Sequence, residues 1–462
     1  MKIQILIITL LVFTNTILAQ FGEQQVISNT AIEAFRVKSG DLDGDSFEDV
    51  IVHYQGHLSW YKNIDGEGNF GSENTIINNL TENIINIIAR DMDSDEDKDI
   101  LFQTSGNIYW IENMNGLGLF ETFHTIFESE DFVVSFILKD VNGDNYLDII
   151  CSNVEFGSEI IWFENLSNSG TFGNKQVVDE NLYPLMRYLV SGDLDGDGDN
   201  DIVIARRGFG SFSGVCWYEN LDGMGNFSEV KQIFLYHNLE HEGGIHLHDI
   251  DLDGDNDIVF VKDTDFGASL ILWLENLDGL GQNWSNNEIN WDSNIASSEL
   301  ADVNNDGFID ILYSSSPNSG EDEIFWIRND NGSFENPITV TQLVDTPQEI
   351  SVAYINSDNR IDVLSASSND NKIAWYENLG VLGIGDNFLN KIEVYPNPVK
   401  DVLTINTNQQ IDKIEILNFN GQKLKTFLFQ NKVDLNSLNS GIYLVKIFND
   451  IGEIEIIKIV KQ

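Results

Sequence analysis

An acidic loop of nine residues recurs seven times in this chain, with oxygen-bearing side chains at positions 1, 3, 5 and 9 in all but the last copy. The ninth positions are Asp49, Asp99, Asp148, Asp201, Asp257, Asp310 and Asp362. A period of about 50 residues marks a propeller or array of units that bury their apolar faces only against each other. Each ninth position opens a short apolar strand, such as Val50-Ile51-Val52 or Ile202-Val203-Ile204. A second strand follows, built on Trp60, Trp110, Trp162, Trp217, Trp273, Trp326 or Trp375. A Gly/Asp-rich turn, such as Leu221-Asp222-Gly223-Met224-Gly225, leads to a third strand opening on Phe70, Phe120, Phe172, Phe227, Trp284 or Phe334. A further apolar strand, such as Tyr188-Leu189-Val190, enters the next loop. Four short strands per unit is the make-up of a propeller blade.

The aromatic-led strand is missing after Trp375, and its text stands instead at Phe21-Gly22-Glu23-Gln24-Gln25-Val26-Ile27. The N-terminal strand is therefore expected to complete the last blade, leaving no bare sheet edge. The fold expected is all-β, a seven-bladed β-propeller over residues 20–381, then a linker at 382–390 and a small β-sandwich at 391–462. One tryptophan per blade at a fixed place reads as blade-to-blade packing. In five units the tryptophan strand ends Trp-x-Glu-Asn, with Lys62 and Arg328 replacing the glutamate in the other two. A local hydrogen bond at the strand end is all that the pattern suggests for that position.

Four carboxylates on one tight loop repel each other, so the loops call for a cation. Calcium takes six to eight oxygens at roughly 2.3–2.6 Å from flexible carboxylate-rich loops, whereas magnesium needs tighter octahedral geometry. Zinc is disfavoured because the loops hold no cysteine or histidine. The candidate ligands are Asp41, Asp43, Asp45 and Asp49 in loop one, and Asp91, Asp93, Asp95 and Asp99 in loop two. Loop three offers Asp140, Asn142, Asp144 and Asp148, and loop four Asp193, Asp195, Asp197 and Asp201. Loop five offers Asp249, Asp251, Asp253 and Asp257, and loop six Asp302, Asn304, Asp306 and Asp310. In loop seven Tyr354 replaces the first ligand and leaves Asn356, Asp358 and Asp362. About six calcium ions are expected, with the seventh loop weak or empty.

These units resemble FG-GAP-like repeats, also called VCBS repeats, which are related to the propeller of integrin α subunits. The Phe-Gly pair stands at Phe21-Gly22, Phe70-Gly71 and Phe172-Gly173. The resemblance implies a calcium-binding loop between the first two strands of each blade.

Formal net charge is −50, from 75 acids against 25 bases, which argues against nucleic acid or an anionic membrane as partner. Residues 391–462 hold 9 Lys and 8 Asp/Glu, so the acidity lies upstream of them. Met1-Lys2, an apolar run over residues 3–13 and Ile17-Leu18-Ala19-Gln20 read as a secretory signal peptide, cut after Ala19. No later run reaches the length of a membrane span. Cys151 and Cys216 lie in apolar strands and read as two buried free thiols.

Residues 391–462 alternate like a β-sandwich of about seven strands. Val394-Tyr395-Pro396-Asn397-Pro398, Asn420-Gly421-Gln422, Leu438-Asn439-Ser440-Gly441-Ile442-Tyr443 and Ile457-Lys458-Ile459-Val460-Lys461 resemble the C-terminal sorting domain of type IX secretion. That resemblance implies a bacterium of the Bacteroidetes type, the type IX machinery as partner, and a secreted or outer-membrane-attached protein.

No Ser-His-Asp, P-loop or dinucleotide signature is present. His237, His241, His246 and His248 cluster, and His246 and His248 share one face of the innermost strand of blade five. They read as exposed or packed histidines, and Arg206 and Arg207 as a solvated turn. The function expected is a binding or adhesion module for a glycan or protein ligand. The alternative is a polysaccharide lyase or hydrolase with its site at the channel mouth.

Overall fold

A computed structural model describes residues 20–462 apart from 129–131, 155–157, 167–169, 183–185, 207–213, 236–243, 264–267, 318–319, 381–392, 407–410, 419–422, 429–430, 440, 450–453 and 462. The signal-peptide segment, Arg207, His237, His241, Asn420-Gly421-Gln422 and the linker lie outside the described residues. The chain forms two compact units, Phe21–Asn378 and a second that takes in Leu379–Gln462.

Seven four-stranded antiparallel sheets make the first unit a seven-bladed propeller. The first sheet runs Ala34–Gly40, Asp49–Tyr54, His57–Asn63 and Phe70–Ile77, each strand pairing with the next. Sheets two to six repeat that order, starting at Asn86–Arg90, Phe132–Lys139, Met186–Gly192, Ile245–His248 and Ile295–Ala301. Strands of the type Asp49–Tyr54, Asp201–Arg206 and Asp362–Ser367 are buried along their whole length. Both of their faces are covered by neighbouring blades, which is why they read as continuous apolar runs. The outer strand Trp284–Ser293 instead carries exposed and half-buried residues.

The ring closes as the strand count implies. Gln25–Ser28 pairs antiparallel with Lys372–Tyr376 as the fourth strand of the last sheet, Gln25 opposite Trp375 and Val26 opposite Ala374. Phe21 bridges to Asn378, and the Gly22 N–H donates to the Glu377 carbonyl at 2.8 Å. The outer strands differ from expectation in sheets three, four and six. There Phe172, Phe227 and Phe334 pair with Asn165, Asn220 and Asn329 in short bridges, and the long outer strand starts later, at Gln176, Lys231 and Ile338. Within each of these long outer pairings the register also shifts, at Ser158–Ile161, Val215/Cys216 and Ile324/Phe325, as at a β-bulge.

Apolar cores lie between blades. One joins Leu42, Ile51, Leu58 and Trp60 of the first sheet to Ile87, Ile100, Phe102 and Ile111 of the second. Another joins Val37 and Val50 to Leu364 and Trp375 across the closure. All seven repeat tryptophans are buried. Six of them face a glycine turn of the next blade. At Gly225, whose φ is +83°, an added Cβ would lie 2.5 Å from the Trp162 ring, so the turn admits only glycine. Trp326 is covered edge-on by Phe21, with ring centroids 6.4 Å apart, so the N-terminal segment supplies the missing lid.

The second unit is a sandwich. Glu393–Tyr395, Val402–Asn406 and Lys432–Asp434 form one sheet. Lys423–Leu428, Ile411–Asn418, Gly441–Asn449 and Ile454–Lys461 form the other. Leu403, Ile405, Val433, Ile414, Ile416, Val445 and Ile459 pack between them. Asn397 ties the Tyr-Pro-Asn-Pro segment to the lysine-ended strand: its amide donates to the Lys458 carbonyl at 3.1 Å and its oxygen accepts from Val460 N–H at 2.9 Å.

Candidate metal centres

Each acidic loop lies between the first and second strands of its sheet. Positions 4 and 6 take positive φ in all six intact loops, from Gly44 and Ser46 to Asn305 and Gly307. The first aspartate stabilises this curl. Asp41 accepts N–H bonds from Gly44 and Ser46, both at 2.8 Å, and Asp193 does the same with Gly196 and Gly198 at 2.7 and 3.0 Å. The fifth accepts the N–H of the seventh residue, as Asp197 does from Asp199 at 3.0 Å. Loop seven lacks the first of these acceptors, and Tyr354 is exposed.

The ninth aspartate is a buried latch. One oxygen of Asp201 accepts Leu194 N–H at 2.9 Å and the other accepts Asn220 N–H at 2.8 Å, joining loop to strand end. The same pair of bonds recurs at Asp49, Asp99, Asp148, Asp257, Asp310 and Asp362. Burial raises these carboxyls, to about 7 for Asp49, Asp99, Asp201, Asp257, Asp310 and Asp362 and about 6 for Asp148, although the N–H bonds oppose it.

The third position stands apart. Oδ1 of Asp43, Asp93, Asp195 and Asp251 is buried without a hydrogen-bond partner. Desolvation, followed by repulsion from Asp95 and Asp197, raises Asp93 and Asp195 to about 6. Asp41, Asp43 and Asp45 each bring an oxygen within 4.8 Å of the others. So do Asp91, Asp93 and Asp99, Asp193, Asp195 and Asp197, and Asp249, Asp251 and Asp257. A buried, unpartnered carboxylate oxygen facing two more is costly unless a cation joins them. The donor set is all oxygen and fits a hard divalent ion such as calcium. In loops three and six Asn142 and Asn304 take the third place, and their amides bond Asp144 and Asp306 at 3.2 and 2.8 Å.

The raised carboxyls set a pH dependence. An acid whose folded pKa exceeds its unfolded value stabilises the fold below the unfolded value and loses that contribution as pH rises through the folded one. The melting temperature of metal-stripped protein is therefore expected to fall between about pH 4 and pH 7. The increment gained on adding calcium should grow over the same window, because metal and proton compete for the same oxygens. Calorimetry at both limits, with and without calcium, checks both signs.

A residue missed in sequence holds the loops in a ring. The asparagine three places after each tryptophan is buried in all seven sheets. Its amide reaches the second residue of the preceding blade's loop. Asn113 donates to the Leu42 carbonyl at 2.8 Å, Asn220 to Val141 at 2.8 Å and Asn276 to Leu194 at 2.9 Å. Asn165, Asn329 and Asn378 reach Met92, Ile250 and Val303, and Asn63 closes the circuit on Ile355 at 2.8 Å. Its invariance across seven repeats was the available signal. Asn220→Ala leaves the Val141 carbonyl and the Gly225 N–H, bonded at 3.1 Å to Asn220 Oδ1, without partners. At roughly 1–3 kcal/mol per stranded group, a loss of about 2–4 kcal/mol is expected in chemical unfolding.

The residue two places after tryptophan points at the same loop, so the expected strand-end bond is the smaller part of its role. Glu164 and Glu377 accept from Asn142 and Asn356, both at 3.2 Å. Glu112, Glu219 and Glu275 add repulsion at Asp93, Asp195 and Asp251. Lys62 binds Asp43 and Asp45, and Arg328 binds Asp306.

First strands of six sheets line the central channel, with Gly244, just ahead of the fifth sheet's first strand. Its charges are paired with each other: Lys38 Nζ lies 3.2 Å from Glu299 and 3.5 Å from Glu349, and Arg36 lies 3.9 Å from Glu349. Burial alone would lower the Lys38 ammonium, but Glu349 and Glu299 outweigh it and hold its pKa above the usual value. His246 and His248 do line one surface, with His246 Nε2 2.9 Å from Ser298 Oγ. Burial lowers the His246 pKa. Arg206 corrects expectation: it is buried, its Nε 2.7 Å from the Cys216 thiol, because it closes the inward strand Asp201–Arg206. Cys151 and Cys216 are both free and buried. Among the described residues, no helix is long and apolar enough to cross a membrane.

The family model for the FG-GAP-like repeat matches six overlapping stretches, residues 41–102, 91–151, 140–204, 193–260, 249–313 and 302–365. That for the secretion system C-terminal sorting domain matches residues 393–462. No curated protein matches the chain in sequence. Among solved structures, BBS1N in complex with ARL6DN is similar at a TM-score of 0.52 and 10% identity, over 78% of this chain and 97% of that one. An Agrocybe aegerita lectin, described as recognising non-reducing terminal N-acetylglucosamine, has a TM-score of 0.49 and 18% identity over 67% and 81%. The extracellular domain of the putative hybrid two-component system BT3049 from B. thetaiotaomicron has a TM-score of 0.46 and 14% identity over 95% and 57%.

Proposed function

The chain belongs to the FG-GAP-like repeat family, and we propose that its propeller is a calcium-stabilised module that binds a glycan or protein ligand outside the cell. It carries a type IX sorting domain, so it is an exported bacterial protein, secreted or at the cell surface. We take residues 1–19 as its signal peptide and 20–381 as the propeller, joined through 382–390 to the sorting domain at 391–462.

The observation that carries the binding reading is a set of exposed aliphatic side chains beside the acidic loops. Directly after the buried asparagine of the first five blades come Ile64, Met114, Leu166, Leu221 and Leu277, all exposed. The turn tips of blades two, four and five add Leu117, Met224 and Leu280, with Leu117 67% and Met224 71% exposed. Exposed apolar side chains recurring at the same place in successive blades mark a candidate interaction surface. Calcium supplies the charge that makes the neighbouring loops rigid, and its role here is structural. The paired state of Arg36, Lys38, Glu299 and Glu349 supports binding over turnover in the channel.

The test is immobilised glycan and extracellular-protein arrays probed in calcium with the full chain and with a Leu117→Asp/Met224→Asp/Leu280→Asp variant. Expected is binding by the parent and at least tenfold weaker binding by the variant, at unchanged melting temperature. Release of unsaturated products from a polysaccharide panel would overturn the binding reading in favour of a lyase.

A further inference from the structure

We infer that the seven loops fall into two classes, and that loops one, six and seven are held by the protein's own cations in place of calcium. The inference rests on the calcium reading above and divides the loops by what their carboxylates already touch.

In loop one the Lys62 ammonium bonds Asp43 Oδ2 and lies 2.8 Å from Asp45 Oδ2. It thus spans the third and fifth positions, the pair that would share a divalent ion. In loop six Arg328 lies 3.2 Å from Asp306 Oδ2 and 3.8 Å from Glu335. In loop seven the first carboxylate is gone and Arg360 lies 2.7 Å from Asp358 Oδ2, its Nε donating to the Asn378 carbonyl at 2.7 Å. Loops two to five place Glu112, Glu164, Glu219 and Glu275 where loops one and six place Lys62 and Arg328. Counting the four loop positions with that residue, loops two to five carry four or five formal negative charges and loops one and six two or three.

A tethered ammonium or guanidinium and a calcium ion cannot share one set of oxygens. To enter loop one, calcium must first pull Lys62 off two carboxylates and then accept it as a near neighbour of like charge. In loops two to five the strand-end glutamate deepens the negative field and favours the dication. The three loops that hold a protein cation are contiguous: the sixth sheet and the first flank the closing sheet, which takes its last strand from the N-terminus. The seam of the ring is thus set without metal, and the arc opposite it is set by calcium.

Calcium titration of metal-stripped full chain by calorimetry and equilibrium dialysis is expected to give four tight sites. Lys62→Glu should raise the count to five. Six sites of similar affinity in the parent, with Lys62→Glu leaving the count unchanged, would overturn the inference while sparing the calcium reading. No calcium bound at all would overturn both. Hydrogen exchange on the unmutated chain gives an independent readout. Chelation should speed exchange at residues 91–99, 140–148, 193–201 and 249–257 at least tenfold and leave 41–49, 302–310 and 354–362 within twofold. Equal acceleration in all seven loops would count against the two classes.

Discussion

Stripping divalent cations from the propeller is expected to lower its melting temperature by about 15 °C, and calcium should restore it. A site occupied at a hundredfold above its Kd stabilises by about 2.7 kcal/mol, so four sites contribute roughly 11 kcal/mol. Unfolding entropy of about 2.1 cal/mol/K per residue over residues 21–378 converts this to about 15 °C. The structural cause is the buried Oδ1 of Asp93, Asp195 and Asp251, which has no protein partner. Magnesium at equal concentration should restore less, because these loops gather many carboxylates on a flexible curl where magnesium needs a tight octahedron. Scanning calorimetry with calcium, magnesium or neither is the measurement. An unchanged transition in the absence of metal would mean that the loops are self-sufficient acidic turns.

Deleting residues 21–28 is expected to open the ring. The deletion removes the strand paired to Lys372–Tyr376 and uncovers Trp326. It also removes the Gln24 amide, bonded at 2.8 Å to Tyr376 Oη and at 2.7 Å to the Leu343 carbonyl. Loss of the buried Phe21 alone costs about 3–5 kcal/mol. With the strand's hydrogen bonds the loss should exceed about 6 kcal/mol. The bared edge is a template for pairing with another molecule. Light scattering after size exclusion should therefore show oligomers where the parent is a single species, and a peptide of residues 21–29 added in trans should reverse the change. A monomeric, equally stable deletion would show that the closing strand is dispensable.

Most of this architecture is legible in the sequence because the repeat reports it seven times over. The period gives the blade, the displaced Phe21-Gly22 gives the closure, and the acidic spacing points to oxygens that come together three at a time in loops one, two, four and five. What stayed hidden is long-range and depends on the neighbouring blade. Asn220 looks like a strand-end polar residue, and only the folded ring shows its amide on Val141, 79 residues away. Arg206 beside Arg207 looks like a basic turn, yet Arg206 ends a strand enclosed on both sides. Lys62 and Arg328 looked like lapses from a glutamate consensus. Their contacts with Asp43, Asp45 and Asp306 show them as charge compensation.

The asparagine circuit has a consequence for how the molecule comes apart. In a linear array of repeats the terminal unit has one neighbour and frays first. Here Asn63 reaches Ile355 as Asn113 reaches Leu42, so no blade is terminal and there is no preferred place for unravelling to begin. Rupture of any one asparagine bond leaves the two flanking blades still tethered the long way round, through all the others. The propeller should therefore resist proteases as a hoop does, intact until it fails everywhere at once.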